Sequence, residues 1–142
     1  MIVSDEEAGF TLVELMVVIV ILGLLATIVA INVLPALGKG NQAKAKADIA
    51  TIEQALEMYR LDNLTYPSST EGLQALVAPP PGAGQPQRYR QGGYIKRLPD
   101  DPWGHPYRYI YPGQHGAFAV FSYGADDKQG GEGENADLGN WQ

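Results

Sequence analysis

The sequence predicts an α+β chain in which a long N-terminal helix packs its second half on a small antiparallel sheet. Three observations carry this expectation. An apolar run extends from Phe10 to Leu34, an apolar stripe at spacings of three and four follows it, and a Tyr-rich alternating segment lies near the C-terminus.

The first element, FTLVELMVVIVILGLLATIVAINVL, follows a polar leader that ends in Gly9. At about 1.5 Å per residue it reaches roughly 37 Å, enough to cross a hydrocarbon core of about 30 Å. Residues 10–34 are therefore predicted to form a membrane span. Glu14 is the only ionisable group in it. A charge in such a segment implies a partner, and the plainer alternative is a hydrated glutamate at the membrane interface.

Composition narrows the function classes. With 142 residues and one span, there is room for a single small domain outside the membrane and no large catalytic architecture. The chain has no cysteine, so that domain needs a staple other than a disulfide: helix packing, a partner or a metal. The net charge is −6, half of it from Asp5, Glu6 and Glu7, which argues against nucleic acid as a partner.

The remaining elements follow in order. Pro35, Gly38 and Gly40 predict a kink or loosened turn where the apolar run ends. An amphipathic helix is expected over 41–63, with Ile49, Ile52, Leu56 and Tyr59 on its core face. Asn63-Leu64-Thr65 matches a glycosylation sequon that nothing else in the sequence supports. Tyr66-Pro67 stops the helix, and Ser69 to Leu76 suggests a short second helix capped by Ser69 or Thr70. A surface loop is predicted over 79–91, its arginines solvated. A hairpin is predicted over 106–122, with Tyr107, Tyr109 and Tyr111 on one face and Arg108 and Ile110 on the other. An acidic, glycine-rich loop over 123–141 completes the globular part, residues 35–142.

The order of leader and apolar run is the reverse of a secretory signal, whose cleavage site lies after the apolar stretch. A cut behind Ala8-Gly9 would leave the hydrophobic helix on the mature chain. Gly9-Phe10-Thr11-Leu12-Val13-Glu14 resembles the start of type IV pilin and pseudopilin precursors. That resemblance implies removal of residues 1–9 by a prepilin peptidase that cuts between Gly9 and Phe10 and methylates the Phe10 amine. Glu14 then stands four residues from a new α-amine, and in a stacked filament the carboxylate of one subunit pairs with the amine of its neighbour. An unpaired buried carboxylate is costly, so the pair also penalises misaligned stacking. The leader departs from the family pattern in having no Lys or Arg, and the first bases, Lys39, Lys44 and Lys46, follow the span.

Downstream blocks narrow the resemblance. Tyr94 to Tyr107, YIKRLPDDPWGHPY, is similar to a block of the major pseudopilins of type II secretion systems. Tyr66-Pro67-Ser68, Glu71 to Leu76, and Asp137-Leu138-Gly139-Asn140-Trp141 resemble the same family. The resemblance implies a type IV pilin-like fold and a single-pass inner-membrane protein with its C-terminal domain in the periplasm. It also implies assembly into a helical homopolymer, the periplasmic pseudopilus, that supports export of folded proteins across the outer membrane. Minor pseudopilins, an inner-membrane assembly platform and the prepilin peptidase are the implied partners.

Asp126, Asp127, Glu132, Glu134 and Asp137 face a single Lys128 in the acidic loop. Composition alone reads as a flexible acidic tail. The loop is bounded, however, by a predicted strand and by Leu138 and Trp141, and a clamped anionic loop needs a cation. Oxygen donors, intervening glycines and no histidine nearby in sequence suit Ca²⁺, which takes about 6 to 8 oxygens. The family resemblance implies ligands from the side chains of Asp126, of Glu134 or Asn135, and of Asp137, with main-chain oxygens of Tyr123 and Lys128.

No catalytic function is expected. His105 and His115 are the only histidines, both lie in Pro/Gly-rich turns, and no serine sits in a nucleophile motif. Two rivals remain at this level: a major type IV pilin of a surface fibre, and a membrane-anchored metal-dependent hydrolase built on the acidic loop.

Overall fold

The computed structural model describes residues 9–81 and 88–142. The predicted leader up to Ala8 and the Gly82 to Gln87 part of the predicted loop lie outside the described residues. Two compact units meet in sequence between Leu37 and Gly38.

The long helix, α1, spans Leu12–Asn63, 52 residues, and is helical through Pro35, Gly38 and Gly40. The predicted loosened turn is absent, since the helix is continuous there. Proline removes one hydrogen bond, and each interior glycine costs about 1 kcal/mol relative to alanine. Helix propagation is cooperative, and these local penalties do not interrupt a helix flanked by Leu, Ala and Lys. In the first unit, every described residue from Gly9 to Leu37 is exposed.

In the second unit, α1 buries Ala45, Ile49, Ile52, Ala55, Leu56 and Tyr59. This is the predicted stripe, extended by two alanines that admit close approach. The stripe packs with Leu73, Leu76, Tyr94, Tyr107, Phe118, Val120 and Leu138. Each such fully buried aliphatic side chain contributes about 1.5–3 kcal/mol. The helix ends where Leu64, at φ 71°, donates its amide to Arg60 O at 2.8 Å. Asn63 spends its side-chain amide on Tyr59 O (3.0 Å) and the Tyr94 hydroxyl (2.8 Å), so the sequon's nitrogen has a structural use.

The predicted second helix shrinks to one 3₁₀ turn, Leu73–Leu76, behind Gly72 at φ 69°. Neither Ser69 nor Thr70 caps it, since its N-cap is Gly72 with no side-chain bond. Ser68 and Glu71 exchange hydrogen bonds at 3.0 Å in a capping box, while Ser69 Oγ bonds both the amide and the carbonyl of Tyr111. In the predicted loop, Arg90 is not merely solvated: its Nε lies 3.1 Å from Asp62 Oδ2, and its guanidinium lies over the Tyr94 ring.

The sheet has the order β1-β2-β3, antiparallel throughout: β1 Arg108–Ile110, β2 Ala119–Ser122 and β3 Leu138–Gly139. Tyr109 pairs with Val120 in the first ladder and Phe121 with Gly139 in the second. The alternation of β1 is as predicted, with Arg108 and Ile110 exposed and the flanking tyrosines against the core. β3 is an addition that the sequence reading placed inside the acidic loop. With β1 and β3 on its two edges and Trp141 against Phe121, β2 is buried along its whole length.

Candidate functional site

Two regions hold the predicted site residues. At the start of the chain, Gly9 adopts φ 81° and Phe10 is 83% exposed, leaving the predicted cleavage point open. Thr11 Oγ1 accepts the amide of Glu14 at 3.1 Å, and Leu15 donates its amide to Thr11 O at 3.1 Å. Thr11 is thus the N-cap of α1, and Glu14 stands in the first turn beside the unsatisfied amides of the helix end. The sequence reading passed over this role, although Thr11-Leu12-Val13-Glu14 is an S/T-x-x-E capping signature. Beyond it α1 is long and apolar enough to cross a membrane, with a mean hydropathy of 3.0 in its best window and none of that window buried. Val13, Met16, Val17, Val20 and Ile21 line one shallow apolar groove along it.

The acidic loop is closed by backbone contacts. Ala125 donates its amide to Glu134 O at 2.8 Å. Gly124, at φ 80°, sits so near that chain that a Cβ would lie 2.6–2.8 Å from the carbonyl oxygens of Glu134 and Ala136. Only glycine fits there. The carboxylates separate. Asp126 Oδ1 accepts the Lys128 amide (3.2 Å), and Asp137 accepts the Gly130 amide with both oxygens (3.0 and 3.1 Å). Asp127 meets Arg108 at 3.3 Å, and that guanidinium covers the Tyr123 ring at 4.4 Å. Glu134 turns its carboxylate to Asn41 on α1 rather than toward the loop's other acids. Asn135 donates its amide to Glu132 O at 3.0 Å in the 3₁₀ turn Gly133–Asn135. Among the described residues, no three Asp, Glu, His or Cys side chains converge. The loop's own side-chain and main-chain donors are oxygens, and Tyr123, Gln129 and Asp137 share a surface cavity with His115.

A buried network links this loop to the Asp-Pro-Trp-Gly turn. Asp101, 4% exposed, accepts the amides of Trp103 (3.1 Å) and His105 (2.8 Å) and the Ser122 hydroxyl (2.7 Å). Ser122 Oγ in turn accepts the Gly124 amide at 3.0 Å. Ser, His and Asp therefore stand together, but the serine proton goes to the aspartate and not to the histidine, the wiring of a cap and not of a nucleophile. At the other end of the loop, Asn140 bonds Phe118 O and the Val120 amide, and the Trp141 ring lies where a Gly139 side chain would be. The roles of Asp101, Ser122 and Asn140 were invisible in sequence because each depends on a strand far along the chain.

Burial pushes the hydroxyl pKa of Tyr107 and Tyr109 far above the ordinary phenol range, and the Asp48 carboxylate that accepts the Tyr107 hydroxyl at 2.8 Å adds to the shift of Tyr107. These groups brace the core and stay protonated.

Residues 32–141 match the family described as "Type II secretion system (T2SS), protein G", and residues 6–30 match the prokaryotic N-terminal methylation motif. The chain belongs to the type II secretion system protein G family. A relative from Vibrio cholerae, type II secretion system core protein G, is 54% identical over 136 residues, covering 96% of this chain and 92% of its own. The core protein G of Pseudomonas aeruginosa is 50% identical over 96% of both chains. The crystal structure of the major pseudopilin from the type 2 secretion system of enterohaemorrhagic Escherichia coli matches with a TM-score of 0.67 at 43% identity, covering 78% of this chain and 94% of that one. In protein G terms, the long helix and the three-stranded sheet are the shared framework, and the N-terminal motif covers Gly9, Phe10 and Glu14.

Proposed function

We propose that this chain is the major structural subunit of a type II secretion pseudopilus, cut between Gly9 and Phe10, methylated on Phe10, and non-catalytic. The observation that carries the reading is the bare stem: from Gly9 to Leu37 every described residue is exposed, and this surface is almost wholly apolar. Water does not tolerate such a surface, so it belongs in lipid before assembly and against neighbouring stems after it. Glu14 then pairs with the Phe10 amine of an adjacent subunit and sets the axial register. The globular unit stands in the periplasm, and minor pseudopilins, the inner-membrane assembly platform and the prepilin peptidase are its partners. Intact mass of the membrane-extracted protein tests this: a mass beginning at Phe10 with one added methyl group is expected, and a retained leader sinks the reading.

Ca²⁺ is the cation proposed for the acidic loop, held by Asp126 and Asp137 side chains with the carbonyl oxygens of Tyr123 and Lys128. Bound there, it neutralises the loop's charge and offsets the entropy lost on ordering, a substitute for the missing disulfide. Asp126→Ala should abolish the rise in thermal midpoint that calcium produces in the parent; an unchanged calcium response removes Asp126 from the ligand set.

A further inference from the structure

Glu134 faces two ways. Its carbonyl accepts the Ala125 amide, closing the acidic loop, while its side chain lies flat across Gly38 of α1. A Cβ on Gly38 would meet Cγ, Cδ and Oε1 of Glu134 at 3.2–3.4 Å, and Gly38 is buried although its neighbours Lys39 and Gly40 are exposed. One turn on, Gln42 Nε2 donates to Gly133 O at 2.8 Å, and Asn41 Nδ2 approaches Glu134 Oε1 at 3.4 Å. The 3₁₀ turn Gly133–Asn135 is therefore seated on Gly38, Asn41 and Gln42.

That helical stretch has little else to hold it. It contains Gly38 and Gly40, poor helix formers, and the next buried side chain along α1 is Ala45. Sequence alone predicts a loosened turn at this place, and the structure has a helix with the acidic loop leaning on it.

We propose that the acidic loop is a conformational latch: closed, it holds α1 helical over Gly38 to Gln42, and cation capture by the loop is coupled to the order of that stretch. The coupling rests on the calcium reading above and is reciprocal, so whatever orders the stretch, including packing against a second copy, also tightens cation binding. Gln42 is the residue that separates the latch from simple helix propensity. Alanine is the better helix former, so propensity alone makes Gln42→Ala slow local amide exchange, whereas loss of the latch makes it faster.

Hydrogen exchange on the full-length processed protein in detergent micelles, with Ca²⁺ or with chelator, tests the latch. In the parent, Ca²⁺ should slow exchange both in the loop, 124–137, and in 38–45, the latter by about fivefold or more. In Gln42→Ala the loop should keep its calcium protection while 38–45 loses it. Protection of the loop without any effect on 38–45 in the parent overturns the latch and leaves the calcium reading standing. If calcium protects neither, the calcium reading falls, and the chelator arm decides the latch: faster exchange over 38–45 in Gln42→Ala supports it, and equal or slower exchange overturns it.

Discussion

The two units of this chain solve opposite problems. From Leu12 to Leu37 the backbone is helical, yet the side chains of Leu, Ile and Val have no partner among the described residues: Leu22 and Leu24 are 59% and 62% exposed. From Gly38 onward the same residue types are driven inside, with Ile52, Leu56, Leu76 and Val120 at 0%. The second unit can therefore stand as a folded body, whereas the first is complete only in another phase or against other copies. The contrast carries the proposed function: in that reading recognition between subunits belongs to the bare surface, and the globular unit supplies a loop-bearing head.

The contrast can be broken at several points. The largest effect is expected from Glu14→Ala, which should spare membrane insertion and the thermal midpoint of the head yet reduce filament yield by tenfold or more. An unpaired buried amine costs about 3–5 kcal/mol, and about 1.4 kcal/mol is a factor of ten. Equal yields from parent and variant would remove the register role. Next in size, Leu56→Ala should destabilise the head by about 2–5 kcal/mol, whereas Leu22→Ala should leave its melting unchanged. Near-ultraviolet circular dichroism of both variants checks this, and a shift caused by Leu22→Ala would show that the stem supports the head.

A third test uses the tyrosines. Tyr59, Tyr66, Tyr89, Tyr94, Tyr107 and Tyr109 all have hydroxyl pKa values raised above the ordinary value, chiefly by burial. The unfolded chain releases these protons first, so their stabilising effect is complete below about pH 10 and is lost as pH climbs above it. Tyrosinate absorbance from these six should appear only as the head unfolds in an alkaline titration; more than two of the chain's eight tyrosines ionising well before unfolding would contradict the burial argument. The smallest effect is expected at the cap. Thr11→Val should weaken the first turn of α1 by about 1 kcal/mol, seen as faster amide exchange at Glu14 in micelles, with the head unaltered.

Most of the framework was readable in the sequence because its signals are local. The apolar run, the stripe Ile49, Ile52, Leu56 and Tyr59, and the Tyr107 to Tyr111 alternation each express a backbone period within a few residues. The Gly9-Phe10 motif is likewise contiguous, and the family match covers it. Local reasoning failed where distant chain intervened or a penalty was overestimated. Pro35 and the two glycines did not interrupt α1. Ser68, not Ser69, caps the turn before Leu73, because Ser69 is bound to Tyr111. β3 escaped notice because a two-residue strand has no period, and Leu138–Gly139 becomes one only when laid on β2.

The acidic loop shows the division most plainly. Charge and glycine content marked it as a region needing an explanation, and its oxygen donors pointed to a hard cation. Sequence could not say that Asp127 would go to Arg108, that Glu134 would cross to α1, or that Ser122, bonded to Asp101, would hold the Gly124 amide. Composition and periodicity are properties of neighbours along the chain, and they were enough to identify the stem and the head, while the family came from the resemblance of contiguous motifs such as Gly9 to Glu14. Which carboxylate meets which partner depends on residues 19 to 93 positions away, brought together only when α1, the sheet and the loop close on one core.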